Sequence, residues 1–349
     1  MNATLPTQLM NAATCAAPEK RTSPLRAAGR AVWGPLCALG LMVPTAVLGF
    51  GNEGHQTVGA IADRLIAGSP AAKHVKKLLG DETLEHAATW ADEVKHGPKT
   101  AETEAFAVRN KEHHNYHYTD VPVGLKKYAE GTPGTGVNDV VHVINRCIAV
   151  LESGKDSKEM TQKEALKVLV HLVGDIHQPL HVGAAYFDAQ DKMVVPQTEA
   201  EAKKESDHGG NDIEFRSGVL HSYWDDKTVQ HAMKLEKAKT VEEMAEALKK
   251  QEPADLKTGG ALNTWSATWA TEILPDAEKA HRDLSFGPLH AVTKTEFGKK
   301  KTVMLRTATT ANAQAAKDYD EWSAKVVHDG LAKAGFRLAA VLKKIWPSE

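Results

Sequence analysis

The sequence predicts an all-α fold in which residues 50–349 form a single-domain helical bundle. Three observations predict it. Apolar residues recur at helical spacing in several separate segments. One segment, 166–176, is apolar on nearly every face, which is typical of a helix inside a protein. No segment shows strong strand alternation, and the sequence contains neither an internal repeat nor a Gly-rich phosphate loop.

The composition excludes one class of function. The 349 residues include 43 Lys and Arg against 45 Asp and Glu, so the chain is close to neutral. The chain is therefore not a protein that covers nucleic acid through a strongly basic overall charge, and any contact with nucleic acid must be made by a local site. The 17 His residues are abundant and many are clustered, which points toward metal chemistry.

The first 49 residues have the composition of a leader. Residues 1–30 are rich in Ala, Thr and Pro and carry basic residues, and 31–49 are apolar and end in small residues. This pattern is typical of a secretory signal that is removed before Phe50, giving a periplasmic or secreted protein. An uncleaved membrane anchor and a start codon further inside the chain are the alternatives. After cleavage Cys147 is the one remaining cysteine, so no intrachain disulfide can form.

The central segment combines burial with polar side chains. A capping box at 161–164 predicts the start of a helix, and Pro179 prevents that helix from continuing. His171 and Asp175 are four residues apart and share one face. Because a buried carboxylate without a partner is costly, a divalent metal is the economical partner, and His181 is placed to reach it. A metal-free, hydrogen-bonded His–Asp pair is the alternative.

The other elements follow in chain order. Helical spacing begins at His55 and recurs in 70–95, in 139–151, in parts of 228–285 and, as one long amphipathic helix, in 311–346. We expect polar loop at 96–112, a charged surface insertion at 183–208 and irregular surface at 286–307.

A second His–Asp pair strengthens the metal interpretation. His221 and Asp225 are four residues apart beside aromatic residues. His55 at a helix start is either a ligand or a helix cap, and Asp92 beside Trp90 is either buried or solvated. In the stretch 113–122, His residues alternate with aromatic and polar groups, and they cannot all be core residues.

Taken together, these segments resemble the zinc-dependent S1/P1 nuclease family. Each motif is weak alone, but six in order with their His and Asp spacing kept are a specific signal. They run through most of residues 50–225, and the C-terminal helices fit more loosely. The six motifs are Gly51–His55, Trp90–Asp92, His117–Asp120, His171–His181, Gly209–Asn211 and His221–Asp225.

The resemblance implies a phospholipase C/P1 nuclease-like bundle with three zinc ions in a cleft. The implied ligands are Asp92, His117, His171 and Asp175 for one zinc; the amine and carbonyl of Phe50 with His55 and Asp175 for a second; and His181, His221 and Asp225 for the third.

The resemblance also implies an activity. Zinc-activated water would hydrolyse single-stranded DNA and RNA to 5′-phosphate products, with 3′-nucleotidase activity as a further expectation. Asp120 would orient that water or contact the base, Lys95 would contact phosphate, Tyr118 would stack on a base and Asn211 would bind near the substrate. The chain departs from the family pattern at two of these positions, because the family usually has Trp at Phe50 and Arg at Lys95.

Other functions are compatible with parts of this pattern. A zinc-dependent phospholipase C shares the three-zinc helical fold, but it tends to have Glu at Asp225 and lacks the Gly-Gly-Asn motif. A non-catalytic periplasmic zinc-binding protein would explain the His content but needs neither Asp120 nor Tyr118. A metal-free helical domain with paired core His and Asp is the remaining alternative. We expect no protein partner and no stable membrane association after the leader is removed.

Overall fold

Local sequence signals set the starts of the helices. At eight helices within residues 50–296 and 299–347, a Ser, Thr, Asp or Asn side chain accepts a hydrogen bond from a backbone N–H of the first turn, which satisfies a donor that has no partner within the helix. These N-caps are Ser69, Thr83, Thr100, Asp139, Thr161, Thr198, Thr240 and Asn312.

The computed structural model describes residues 50–296 and 299–347. Helices dominate these residues, so the all-α prediction is confirmed, while the predicted leader at 1–49 lies outside them. The helices are α1 (Gly51–Ile66), α2 (Pro70–Leu79), α3 (Leu84–Ala87), α4 (Trp90–His96), α5 (Ala101–Arg109), α6 (Val140–Ser153), α7 (Gln162–Asp175), α8 (Glu199–Glu205), α9 (Leu220–Ser222), α10 (Thr228–Leu235), α11 (Val241–Leu248), α12 (Trp265–Arg282) and α13 (Ala313–Ile345).

Helix α7 lies at the centre of the core. Its capping box is formed as predicted, because the hydroxyl of Thr161 accepts from the N–H of Glu164 and the Glu164 carboxylate accepts from the N–H of Thr161. Every residue from Glu164 to Asp175 is buried. Helices α1, α4, α6 and α13 pack against α7, so its polar end faces the interior of the bundle.

The strands are short apart from one hairpin. They are β1 (Val121–Pro122), β2 (Gly183–Ala184), β3 (Tyr186–Phe187), β4 (Met193–Val194), β5 (Ile213–Phe215), β6 (Gly218–Val219), β7 (Ser285–Phe286), β8 (His290–Glu296) and β9 (Lys299–Thr309). Strand β1 pairs in parallel with β2, and β3 pairs antiparallel with β4. Strand β9 pairs antiparallel with β7 and β8 and in parallel with β5.

Two of the loop predictions are wrong. The segment 286–307 contains most of the β8–β9 hairpin, in which the β-branched pair Val292 and Val303 lie opposite each other. The segment 96–112 contains α5, which a capping box at Thr100 begins and the buried ring of Phe106 anchors. Both segments are polar and weakly periodic, so their sequences alone do not indicate a helix or a strand. Contacts with other parts of the chain stabilise the elements that form there.

The segment 183–208 also differs from a simple surface insertion. Residues 183–187 are buried, and β2, β3, β4 and α8 order the segment. The hydroxyl of Tyr186 donates to the backbone carbonyl of Asp120 at 2.6 Å. This segment therefore supports the loop that carries a predicted catalytic residue.

No helix within 50–296 or 299–347 combines the length and the apolar character that a membrane crossing requires.

Candidate metal centre

Buried His and Asp side chains from five regions converge at the carboxyl end of α7. All eight side chains that the sequence predicts as ligands are brought together, and each is at most 6% exposed. They are His55 on α1, Asp92 on α4, His117 after the 3₁₀ turn His113–Asn115, His171 and Asp175 on α7, His181 in the 3₁₀ turn Pro179–His181, His221 on α9 and Asp225 in the π-helical turn Tyr223–Lys227.

Asp175 lies between two groups of imidazoles. One carboxylate oxygen, Oδ2, is 3.1 Å from both His117 Nδ1 and His171 Nε2, and the other, Oδ1, is 3.3 Å from His55 Nε2. Asp92 Oδ1 completes the first group at 3.6 Å from His117 Nδ1 and 3.7 Å from His171 Nε2. The imidazole of His55 stacks on that of His171 with ring centroids 3.8 Å apart, so the two groups are adjacent.

The third group lies around Asp225. His221 Nε2 is 3.3 Å from Oδ2 of this carboxylate, and His181 Nε2 is 3.6 Å from Oδ1. The side-chain amide of Gln178 donates to Oδ1 at 2.8 Å and thereby orients the carboxylate. The sequence prediction missed Gln178, although a polar residue between Asp175 and His181 in a buried motif was a usable signal.

Backbone carbonyls fix three of the imidazoles. A ring whose Nδ1–H donates to a carbonyl has its Nε2 lone pair free for a metal, which is the usual arrangement around metal-binding His. The donor and acceptor residues, each pair 2.7 Å apart, are His171 with Ala88, His181 with His117 and His221 with Gly209.

The Gly209–Asn211 motif has a steric role in this arrangement. Gly209 has a φ of +60°, and a Cβ added there would collide with the carbonyl of Leu180. Only glycine therefore allows the backbone to approach closely enough for its carbonyl to hold His221.

The buried atoms of this cluster fit divalent metal ions. Atoms bound to one tetrahedral zinc at about 2.0 Å lie about 3.3 Å apart, which is close to the distances within the three groups. Among the described residues, several buried atoms of the cluster lack a hydrogen-bond partner, and each such atom is costly unless a cation satisfies it. They are His55 Nδ1 and Nε2, Asp92 Oδ2, Asp175 Oδ1, His181 Nε2 and Asp225 Oδ2.

The electrostatics of the cluster keep its central carboxylate ionised. Burial raises the pKa of Asp175, but the charges of His171 and His181 and the hydrogen bond from His117 hold it well below its usual value. Burial lowers the pKa of His171, yet the carboxylates of Asp175 and Asp92 raise it to about 9. Burial dominates at His117 and lowers its pKa to about 4. The centre thus requires positive charge next to its carboxylates.

A cleft of about 300 Å³ opens over the eight converging His and Asp side chains, the candidate ligands that we call the metal-binding cluster. The four non-ligand residues predicted for catalysis and substrate binding all line it. Its lining residues are Asp92, Lys95, His96, His117, Tyr118, Asp120, Leu180, His181, His208, Asn211 and His221. Of these, His96, Leu180 and His208 were not predicted, although His208 directly precedes the Gly209–Asn211 motif.

The predicted substrate-contacting residues are held in different ways. The hydroxyl of Tyr118 donates to Oδ1 of Asn115 at 3.1 Å, which fixes the ring at the cleft wall. The side-chain amide of Asn211 donates to the carbonyl of His208 at 2.8 Å. Burial raises the pKa of Asp120 to about 7, so this carboxyl can both hold and release a proton near neutral pH.

Phe50 is anchored by its side chain. The ring is fully buried, and a Cβ on Gly54 would lie 2.7 Å from the Cβ of Phe50, so only glycine fits there. The carbonyl of Phe50 accepts from the N–H of Gly54 at 3.2 Å as α1 begins. His55 follows one turn into this helix, with its ring centroid 6.3 Å from that of Phe50. Burial of the ring therefore fixes the Phe50 backbone near His55.

His177 faces away from the cluster. Its Nδ1 donates to the carbonyl of Val173 at 2.7 Å, and its Nε2 accepts from Arg337 of α13 at 3.0 Å. Burial and the charge of Arg337 hold the pKa of His177 well below its usual value. His177 therefore joins α7 to α13 as a neutral acceptor.

In sequence, this chain is similar to one family model and to several known nucleases. A family model described as S1/P1 Nuclease matches residues 50–347. Endonuclease 4 of Arabidopsis thaliana is 27% identical over 316 residues, which cover 86% of this chain and 90% of that protein. Nuclease S1 of Aspergillus oryzae is 26% identical over 322 residues, covering 89% and 96%, and Endonuclease 2 of Arabidopsis thaliana is 26% identical over 313 residues, covering 85% and 91%.

Proposed function

The chain belongs to the S1/P1 nuclease family, and from that membership we propose a zinc-dependent phosphodiesterase that hydrolyses single-stranded DNA and RNA. We infer products with 5′-phosphates and an additional 3′-nucleotidase activity. The family supports a nuclease, and the observation that carries the finer proposal is the set of three buried His and Asp groups beneath one cleft.

Three zinc ions fit the donor set. Zinc bound there supplies an acidified water and positive charge beside the phosphoryl oxygens, as phosphodiester hydrolysis requires. We propose the following ligands: Asp92, His117, His171 and Asp175; the amine and carbonyl of Phe50 with His55 and Asp175; and His181, His221 and Asp225.

The proposed amine ligand requires a chain that begins at Phe50. The family match also begins at Phe50, which supports removal of the leader before this residue and export to the periplasm or the medium. The buried Phe50 ring would keep the amine in place in the mature protein.

Asp120 and Lys95 act on the reacting groups from the cleft walls. With a pKa raised by burial to about 7, Asp120 orients the attacking water and accepts its proton. Lys95 lines the cleft one turn after Asp92, and its ammonium group binds a non-bridging oxygen of the scissile phosphate. Asn211, in the Gly209–Asn211 motif, lines the same cleft and contacts the nucleotide.

The Lys95→Arg variant should turn over faster than the natural protein. A guanidinium forms two parallel hydrogen bonds to phosphate, whereas an ammonium acts as a point charge, so we expect a gain of about threefold in kcat. Steady-state cleavage of a single-stranded oligonucleotide measures this gain. Lys95→Gln, which removes the charge, should lower kcat, and an unchanged or lower kcat for Lys95→Arg would refute the proposed phosphate contact.

Tyr118 accounts for the proposed preference for single strands. Unpaired bases can stack on an aromatic ring, and such stacking contributes about 1–3 kcal/mol per base. Tyr118→Ala should therefore raise KM for a single-stranded oligonucleotide by about tenfold. Tyr118→Phe is the matched control, because it keeps the ring and loses only the hydrogen bond to Asn115. Equal KM values for all three proteins would exclude base stacking at this position.

A further inference from the structure

A group of cationic and imidazole side chains lies next to the cleft without being part of the metal-binding cluster. His96 is at the end of α4, Lys99 follows it, and His113 and His114 form the 3₁₀ turn before His117. We call these four residues the rim patch. His96, Lys99 and His114 are exposed, whereas His113 is only 7% exposed.

Helix α4 connects the rim patch to the metal-binding cluster. Lys95 and His96 follow Asp92 by three and four residues, so they share its helix face and lie about 4.5 and about 6 Å further along the axis. Both line the cleft. The ammonium group of Lys99 donates to the carbonyl of Val94 at 3.2 Å and is thereby held close to the end of the same helix.

The turn that carries the two His residues also contacts the cleft. The rings of His113 and His114 are 4.0 Å apart. The next residue, Asn115, accepts the hydroxyl hydrogen of Tyr118, a residue of the cleft wall. The Nδ1 atom of His113 is buried and lacks a hydrogen-bond partner among the described residues. The turn thus places an unsatisfied imidazole and an exposed one beside the proposed base-stacking ring.

The rim patch places Lys99, close to Lys95 of the cleft wall, among three imidazoles whose pKa values are lowered, so its positive charge comes from lysine. Within 50–296 and 299–347, none of its four residues lies within 4.0 Å of a carboxylate in an ion pair, and the same holds for Lys95. Burial and the charges of Lys95 and Lys99 lower the pKa of His114. The lysines therefore supply the charge that attracts an anion, and the neutral imidazoles can donate N–H hydrogen bonds to it.

We propose that the rim patch binds the phosphate adjacent to the scissile one in a nucleic-acid strand. The proposal rests on the nuclease function, because the scissile phosphate must be held over the metal-binding cluster for its neighbour to reach the patch. The substrate class that follows is an oligonucleotide or polynucleotide with at least two successive phosphates. A dinucleoside monophosphate has no phosphate for the patch.

Chain length and salt dependence test the rim patch. We compare KM for dodecathymidylate with KM for the thymidine dinucleoside monophosphate, in the natural protein and in a Lys99→Gln/His114→Gln variant. In the natural protein we expect the dodecamer to have a KM about tenfold lower, and in the variant we expect the two values to converge. The slope of log KM against log salt for the dodecamer should fall by about 0.7 for the lost Lys99 contact.

The matched control is Lys73→Gln/His86→Gln, which removes the same two residue types from exposed positions on α2 and α3. It should keep the difference between the two substrates. Equal KM changes for both substrates in the rim-patch variant, or no change in either, would overturn the proposal.

A binding measurement separates the rim patch from the nuclease function. Fluorescence anisotropy with a labelled phosphorothioate dodecathymidylate reports affinity of the zinc-loaded protein without turnover. If the natural protein cleaves neither substrate, the proposed nuclease function fails. The rim patch is then judged by affinity alone, which should fall by about tenfold in the Lys99→Gln/His114→Gln variant. An unchanged affinity would contradict the patch whatever the activity.

Discussion

The Asp175→Asn variant should lose almost all phosphodiesterase activity, with a fall in kcat of at least about 10³-fold. The two oxygens of Asp175 face different imidazoles, with Oδ2 at 3.1 Å from His117 and His171 and Oδ1 at 3.3 Å from His55. An amide presents one oxygen and no negative charge, so it cannot serve two metal positions. Atomic emission should find that two of the three proposed zinc ions are lost.

Asp139→Asn is the control for this variant. Asp139 is also a buried carboxylate, but it caps α6, bonds to Tyr128 and His142, and belongs to none of the three His and Asp groups. The control should lose stability while its zinc content is kept. If Asp175→Asn kept its full zinc content and activity, Asp175 would not bridge two metals.

A protein that retains Gly49 before Phe50 should have about 10²-fold lower kcat than a protein that begins at Phe50. A peptide nitrogen carries no available lone pair, so the retained residue would remove the proposed amine ligand. The Phe50 carbonyl, His55 and Asp175 would then hold the second zinc weakly. Zinc titration of both proteins, with their N-termini checked by mass spectrometry, measures the loss of this site.

Phe50→Leu at the N-terminus separates the amine from the ring. This variant keeps the amine but loses part of the buried aromatic contact, so its free energy of unfolding should fall by about 1 kcal/mol while its second zinc is kept. Equal zinc affinity in proteins with and without Gly49 would show that the amine is not a ligand.

The sequence predicted the metal-binding cluster because its signals are local. The spacing of His171 and Asp175 places both on one face of a helix, and the apolar residues around them require that face to be buried. The order of the separated motifs then gave a resemblance to a known family, and that resemblance predicted the remaining ligands. All eight side chains meet in the structure, although His171 also lies close enough to His55 to belong to two groups.

Features that depend on distant contacts were not predictable in the same way. The β8–β9 hairpin is polar along much of its length and pairs with β5 and β7 far away in sequence. The buried start of 183–208 is set by contacts such as the one between Tyr186 and Asp120. The rim patch unites the end of α4 with a turn, and neither segment alone indicates a phosphate site.

The most direct test of the proposed function identifies the products released from single-stranded RNA by the protein that begins at Phe50. We expect zinc at about three ions per chain and release of 5′-mononucleotides that a chelator abolishes. A protein with a free Phe50 amine and bound zinc that leaves the RNA intact would contradict the nuclease proposal. A lipid head-group phosphodiester would then be the next substrate to assay.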